Sequence, residues 1–194
     1  METKNYNEDN LKEDEIDSVV TRVKVYLINS KHKILAVHSN GGIQLPGGHV
    51  ESCEDYLNAV IREIREETGI ELSSNDKCVP FFEINHYIKN YRNQGINRIA
   101  KMVYYYVFTD KPYTKGKTHL TKHEMESNFE IVAMTLKNFE RELKDVEKTT
   151  LKKSTELYPK RLWLRLKNWE KFLIFKINIF VLENTNYILT LFSF

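Results

Sequence analysis

The segment that constrains this chain most runs from Pro46 to Ile70, where a proline and two glycines lead into a helix-like stretch carrying three glutamates. Pro46-Gly47-Gly48 makes the backbone turn tightly, because glycine tolerates positive φ and a close approach to neighbouring chain. The spacing predicts a helix from about Asp55 to Thr68, with Asp55 as N-cap and Gly69 as a left-handed stop. Leu57, Val60, Ile61 and Ile64 fall at i, i+3, i+4 and i+7, which gives that helix a core-facing stripe. Glu63, Glu66 and Glu67 fall at i, i+3 and i+4 and share a different face, well away from the stripe. Like charges at this spacing repel by a few tenths of a kcal/mol per pair, and Arg62 and Arg65 offset only part of that. Such a cluster is either a solvated charged face or a site for a hard divalent cation, which takes oxygen ligands.

The glycine loop tips the choice toward the cation. A free carbonyl there adds another oxygen donor beside the carboxylates, and an all-oxygen set favours Mg²⁺ or Mn²⁺ over zinc. Mg²⁺ keeps several waters and bridges carboxylates to substrate phosphates; a water oriented by a carboxylate can then attack phosphorus. These residues therefore predict metal-assisted hydrolysis of a phosphoanhydride.

Composition removes several rivals. The 29 Lys and Arg residues nearly cancel 27 Asp and Glu, and the net charge of +2 gives no broad footprint for nucleic acid. With 41% apolar residues the chain can build a core without disulfide or metal staples. Cys53 and Cys78 make no disulfide framework and no zinc motif, which points to a reducing, cytoplasmic setting. The first residues are polar and acidic, the reverse of a signal peptide. The apolar tail from Phe172 to Phe194 is broken by Lys176, Asn178, Glu183, Asn184 and Asn186 and does not read as a membrane span. Its Ile188, Leu189, Leu191, Phe192 and Phe194 should not all face water, so they cover apolar surface or join a homodimer interface.

Along the chain, residues 1–16 read as a flexible arm with almost no apolar content, 17–148 as the main domain, and 149–194 as a partly helical extension. Strands are expected over 19–28, 34–37, 43–45, 81–88, 99–108 and 129–136, and an amphipathic helix over 137–148. A further helix is expected around 162–172. The fold class is mixed α and β.

The segment from Gly48 to Ile70 resembles the Nudix hydrolase box, G-x5-E-x7-R-E-U-x-E-E-x-G-U with U aliphatic. Gly48, Glu54, Arg62, Glu63, Ile64, Glu66, Glu67, Gly69 and Ile70 meet every defined position. The resemblance, with its strand context, extends over about residues 17–145. It implies an α/β/α sandwich around a mixed sheet, with the box helix on one side and the 137–148 helix on the other. It implies Mg²⁺, or Mn²⁺ in its place, held by Glu63, Glu66 and Glu67 and by the carbonyl of Gly48 or its neighbour. Arg62 would orient the carboxylates, and Glu54 would sit near the metal. The general base stays open between Glu63 and a later glutamate, Glu124 or Glu126.

The implied reaction is hydrolysis of a nucleoside diphosphate linked to another group. A (deoxy)nucleoside triphosphate is the first choice, giving the monophosphate and pyrophosphate; ADP-ribose, a dinucleoside polyphosphate, or a sensor that binds without turnover are the alternatives. Arg22, Tyr87 and Arg98 are the candidate substrate contacts, with Tyr91 and Arg92 as further groups able to stack on a base or hold a phosphate. Retention of every box glutamate weighs against the sensor.

Overall fold

The computed structural model describes residues 1–153 other than 74 and 115–117, with the backbone alone for 123–124 and 147–153. In chain order its elements are β1 (Glu2–Tyr6), β2 (Ser18–Ile28), β3 (Lys33–Ser39), β4 (Gly42–Gln44), α1 (Tyr56–Thr68), β5 (Cys78–Ile88), β6 (Arg98–Phe108), α2 (Lys122–Glu126), β7 (Glu130–Thr135) and α3 (Leu136–Lys153). Parallel and antiparallel strand pairs occur together with helices, so the expected α/β class holds. The helix expected around 162–172 and the apolar tail lie outside the described residues. No helix among the described residues is long and apolar enough to cross a membrane.

The described residues divide into two compact units, one of residues 1–30 and 45–127 and the other of 31–44 and 128–153. In the first, the strand order is β1-β5-β6-β2, with β1 parallel to β5, β5 antiparallel to β6, and β6 parallel to β2. Long β-branched and aromatic runs build β2, β5 and β6, and Val23, Val25, Phe82, Ile84, Val103 and Tyr104 among them are buried. The glycine loop lines β2 through three backbone hydrogen bonds: Val23 N–H to Gly48 O (2.9 Å), Val25 N–H to Pro46 O (2.9 Å) and Val50 N–H to Thr21 O (3.0 Å).

The ends of α1 follow the sequence reading. Asp55 Oδ1 accepts from the Asn58 N–H at 2.9 Å, and Gly69, at φ 69°, returns its N–H to the Arg65 carbonyl. The orientation of the helix departs from it. Val60 and Ile64 are fully buried, but Leu57 and Ile61 are only half-buried, and Ala59, Glu63 and Glu67 are buried instead. The buried face of α1 is thus turned toward its glutamates, which are not set apart from the packed side as their spacing suggested.

The N-terminal residues also depart from expectation. Read as a flexible arm, they instead contain β1, in register from Glu2 opposite Phe82 to Tyr6 opposite His86, with the two rings of the last pair stacked at 4.8 Å. Polar and backbone bonds, not apolar content, order this segment. The Asn7 side chain donates to Leu11 O at 2.7 Å and accepts from Leu11 N–H at 2.8 Å, which closes a loop over the buried Leu11.

In the second unit β3 pairs antiparallel with both β4 and β7, and α3 packs on all three. Phe139 and Leu143, one helical turn apart, are fully buried, as are Ile34 and Ala36 of β3. His38 of β3 and Glu142 of α3 meet at 2.7 Å.

Candidate active site

Local chain geometry explains the two glycines of the loop. Gly47 stands at φ 123°, and a Cβ there would collide with the Val23 carbonyl of β2. Gly48 faces the helix: a Cβ on it would lie 2.5 Å from both carboxylate oxygens of Glu63. The loop therefore packs its backbone directly on the glutamates, and the Gly47 N–H donates to Glu67 Oε2 at 2.7 Å. Gly47→Ala should lower stability by about 3 kcal/mol, because strain at positive φ adds to a backbone clash. Urea midpoints at an unchanged m-value would measure it, and a loss below about 0.5 kcal/mol would contradict this account.

Arg62 is the hub of the carboxylates. Its Nε and Nη2 donate to the two oxygens of Glu54 at 2.8 and 2.9 Å, a bidentate pair. Nη1 donates to Glu63 Oε1 at 2.9 Å and to Glu66 Oε2 at 3.1 Å, and Nη2 also reaches the His49 carbonyl at 2.8 Å. One guanidinium thus ties the loop to three acids of the helix and its approach. The hydrogen bonds to Glu54 and Glu63 hold the Arg62 charge firmly in place, and the Arg62 bonds to Glu54 hold the Glu54 carboxyl below the usual carboxylate range. Glu63 goes the other way: burial pushes its carboxyl up, against the hydrogen bond and charge of Arg62.

That opposition bears on whether a cation fits. Glu54, Glu63 and Glu66 gather around Arg62, Glu67 is held by the Gly47 N–H, and for Glu63 the guanidinium does not compensate burial. The gap over Gly48, where any side chain would strike Glu63, leaves the glycine backbone and a carboxylate side by side. Oxygen donors of this kind have the chemistry that a hard divalent cation takes. Among the described residues no three His, Cys, Asp or Glu side chains form a ready-made chelate. Glu63, Glu66 and Glu67 instead direct oxygens at Arg62 and the Gly47 N–H.

The remaining candidates are distributed unevenly. Arg22 lies beside the loop, bridged through its backbone to His49, and the charges of Arg22 and Lys24 add to burial in disfavouring protonation of His49. Arg98 pairs with Ser18, four residues from Arg22 along β2, and its Nε donates to Ser18 Oγ at 3.1 Å. The Arg98 guanidinium covers the Tyr91 ring at 4.1 Å, and Arg92 approaches the same ring at 5.2 Å. Those three form a cluster of their own at the turn between β5 and β6. Tyr87 is half-buried on β5 opposite Ile99. Glu126 is exposed at the end of α2 and pairs with Lys122 at 4.0 Å, while Glu124 is placed on α2 by its backbone.

Two features escaped the sequence reading. The Thr114 and His119 N–H groups donate to the Thr68 and Glu66 carbonyls at 3.0 and 2.8 Å, which brings the segment after β6 to the end of α1. Lys24 sits against the glycine loop, donating from Nζ to the Leu45 and Gly47 carbonyls. A charged residue between two apolar ones in a central strand was the available signal.

A family model described as the NUDIX domain matches residues 19–153. Among solved structures, the chain is similar to a MutT protein from Bacillus halodurans, at 15% identity and TM-score 0.47, covering 63% of this chain and 72% of that one. It is similar also to a MutT NUDIX hydrolase from Burkholderia pseudomallei, at 21% identity and TM-score 0.42, covering 61% and 84%. A NUDIX hydrolase from Nitrosomonas europaea follows at 16% identity and TM-score 0.42, covering 63% and 76%. No curated protein matches the sequence.

Proposed function

The chain belongs to the NUDIX domain family, and we propose on that footing that it is a divalent-cation-dependent hydrolase of a phosphoanhydride in a nucleoside diphosphate linked to another group. The observation that carries this reading is the contact surface of Gly48 with the buried Glu63 carboxylate, framed by Glu66, Glu67 and Arg62. Bound there, Mg²⁺ or Mn²⁺ would neutralise phosphate charge and activate a water. Glu63, Glu66 and Glu67, with a carbonyl of the glycine loop, would hold it.

The chain's own residues do the rest. Arg62 holds Glu54, Glu63 and Glu66 together beside the glycine loop, which keeps the carboxylates close to one another. Glu63, the carboxylate against the glycine loop, is the base this reading favours, with Glu124 or Glu126 as the alternative. Arg22 beside His49 would meet the phosphate chain; Tyr87, Arg98 and the Tyr91 cluster would meet the remainder of the substrate.

Within that class we take a (deoxy)nucleoside triphosphate as substrate, cleaved to the monophosphate and pyrophosphate. The test is kcat/KM over dGTP, 8-oxo-dGTP, ADP-ribose, NADH, Ap4A and a nucleotide sugar, each with Mg²⁺. A triphosphate should lead the panel. If ADP-ribose or Ap4A exceeds every triphosphate by about 10-fold, or about 1.4 kcal/mol of transition-state stabilisation, the substrate is wrong and the hydrolase reading stands. Binding of nucleotides without turnover of any of them would favour a sensor.

A further inference from the structure

A lysine interrupts the apolar run of β2 where that strand passes the glycine loop. Val23 and Val25 on either side are fully buried. Lys24 Nζ donates to the Leu45 carbonyl at 2.8 Å and to the Gly47 carbonyl at 2.7 Å. Gly47 in turn gives its N–H to Glu67, and the next residue, Gly48, abuts Glu63. One residue, Gly47, therefore carries the ammonium on its carbonyl and a glutamate on its N–H.

The shape of the loop does not require this lysine. Backbone bonds from Val23, Val25 and Val50 already tie residues 46–50 to β2. What Lys24 adds is a full positive charge on a tether, at the cost of the rotamer entropy of its stem.

We propose that Lys24 is a built-in monovalent cation of the carboxylate site, which offsets the glutamates and so weakens capture of a divalent cation before substrate arrives. The proposal rests on the reading of this site as metal-dependent. A free divalent ion meets the attraction of the carboxylates together with the repulsion of a charge that cannot leave. A phosphate chain adds negative charge and reverses that balance, so cation and nucleotide bind cooperatively. Lys24 acts here through the loop and the carboxylates and not on the reacting atoms.

The test is a titration of the full chain with Mn²⁺ in the absence of nucleotide, following free Mn²⁺ by electron paramagnetic resonance, for wild type, Lys24→Met and Lys24→Gln. Both variants should bind Mn²⁺ about 10-fold more tightly than wild type. Lys24→Gln keeps a donor for a loop carbonyl while removing the charge, so it decides the matter if the two differ or if Lys24→Met does not fold. Mn²⁺ binding by Lys24→Gln that equals or falls below that of wild type overturns the proposal and leaves the metal-dependent reading standing. Absence of Mn²⁺ binding in all three proteins, with and without a nucleoside triphosphate, overturns both.

Discussion

Stripping divalent cations from the protein is expected to abolish turnover, by about 10³-fold or more, and Mg²⁺ or Mn²⁺ is expected to restore it. The reason is charge. Glu54, Glu63 and Glu66 share the single guanidinium of Arg62, Glu67 lies beside them on the Gly47 N–H, and burial already pushes the Glu63 carboxyl up against the pull of that guanidinium. A phosphoanhydride substrate brings several further negative charges to the same place. Each like-charge pair at about 4 Å costs about 1 kcal/mol in water and about 4 kcal/mol at the effective dielectric of a protein surface. Two or three such pairs exceed what hydrogen bonds from Arg22 or a stacking tyrosine can return, so the substrate needs an added cation to bind productively. The measurement is turnover after chelation, followed by readdition of each metal. The same readdition should raise the thermal midpoint, since a ligand that binds only the folded state stabilises it. Undiminished turnover in metal-stripped protein would contradict the mechanism.

Glu67→Gln is expected to lower kcat by at least about 10²-fold, near 2.7 kcal/mol in the barrier, without unfolding the protein. Glu67 is buried, at 4% exposure, and its Oε2 accepts the Gly47 N–H. Glutamine has the same size and keeps an oxygen to accept that bond, so the loop retains its anchor. What is lost is the charge and one oxygen donor strong enough for a hard cation. Stability should stay level or rise, because Glu63 and Glu67 stand at i and i+4 and repel each other. Denaturant unfolding and steady-state kinetics on the same preparation separate the outcomes. A variant that unfolds would make Glu67 a structural residue, and one with wild-type kcat would remove it from the site.

Both predictions lean on an arrangement that the sequence shows only in part. The caps of α1 were legible because they are local: Asp55 and Gly69 act on backbone groups within a few residues. The strands were legible too, since β2, β5, β6 and β7 each announce themselves as β-branched or aromatic runs between polar breaks. The spacing of Gly48, Glu54, Arg62, Glu63, Glu66 and Glu67 was enough to bring loop and helix together as a candidate cation site. Helical periodicity, however, assigns a face by composition, and it set the glutamates apart from the packed side. Glu63 and Glu67 are buried because the loop held along β2 covers them, and no local rule contains that contact.

The sequence by itself therefore determined β2 to β7, the box helix with its ends, and the family to which the chain belongs, all of which follow from interactions between near neighbours and from residue spacing. Only the tertiary structure decided which carboxylates are buried, that Arg62 gathers Glu54, Glu63 and Glu66, and that Lys24 sets its charge against the glycine loop. It decided as well that residues 2–6 add a parallel strand beside β5, where an apolar count had seen a loose arm. Apart from the side-chain bonds of Arg62, these features depend on pairings between segments tens of residues apart, held in large part by backbone hydrogen bonds that every residue type can accept and all but proline can donate. Such bonds leave almost no mark on the sequence that forms them.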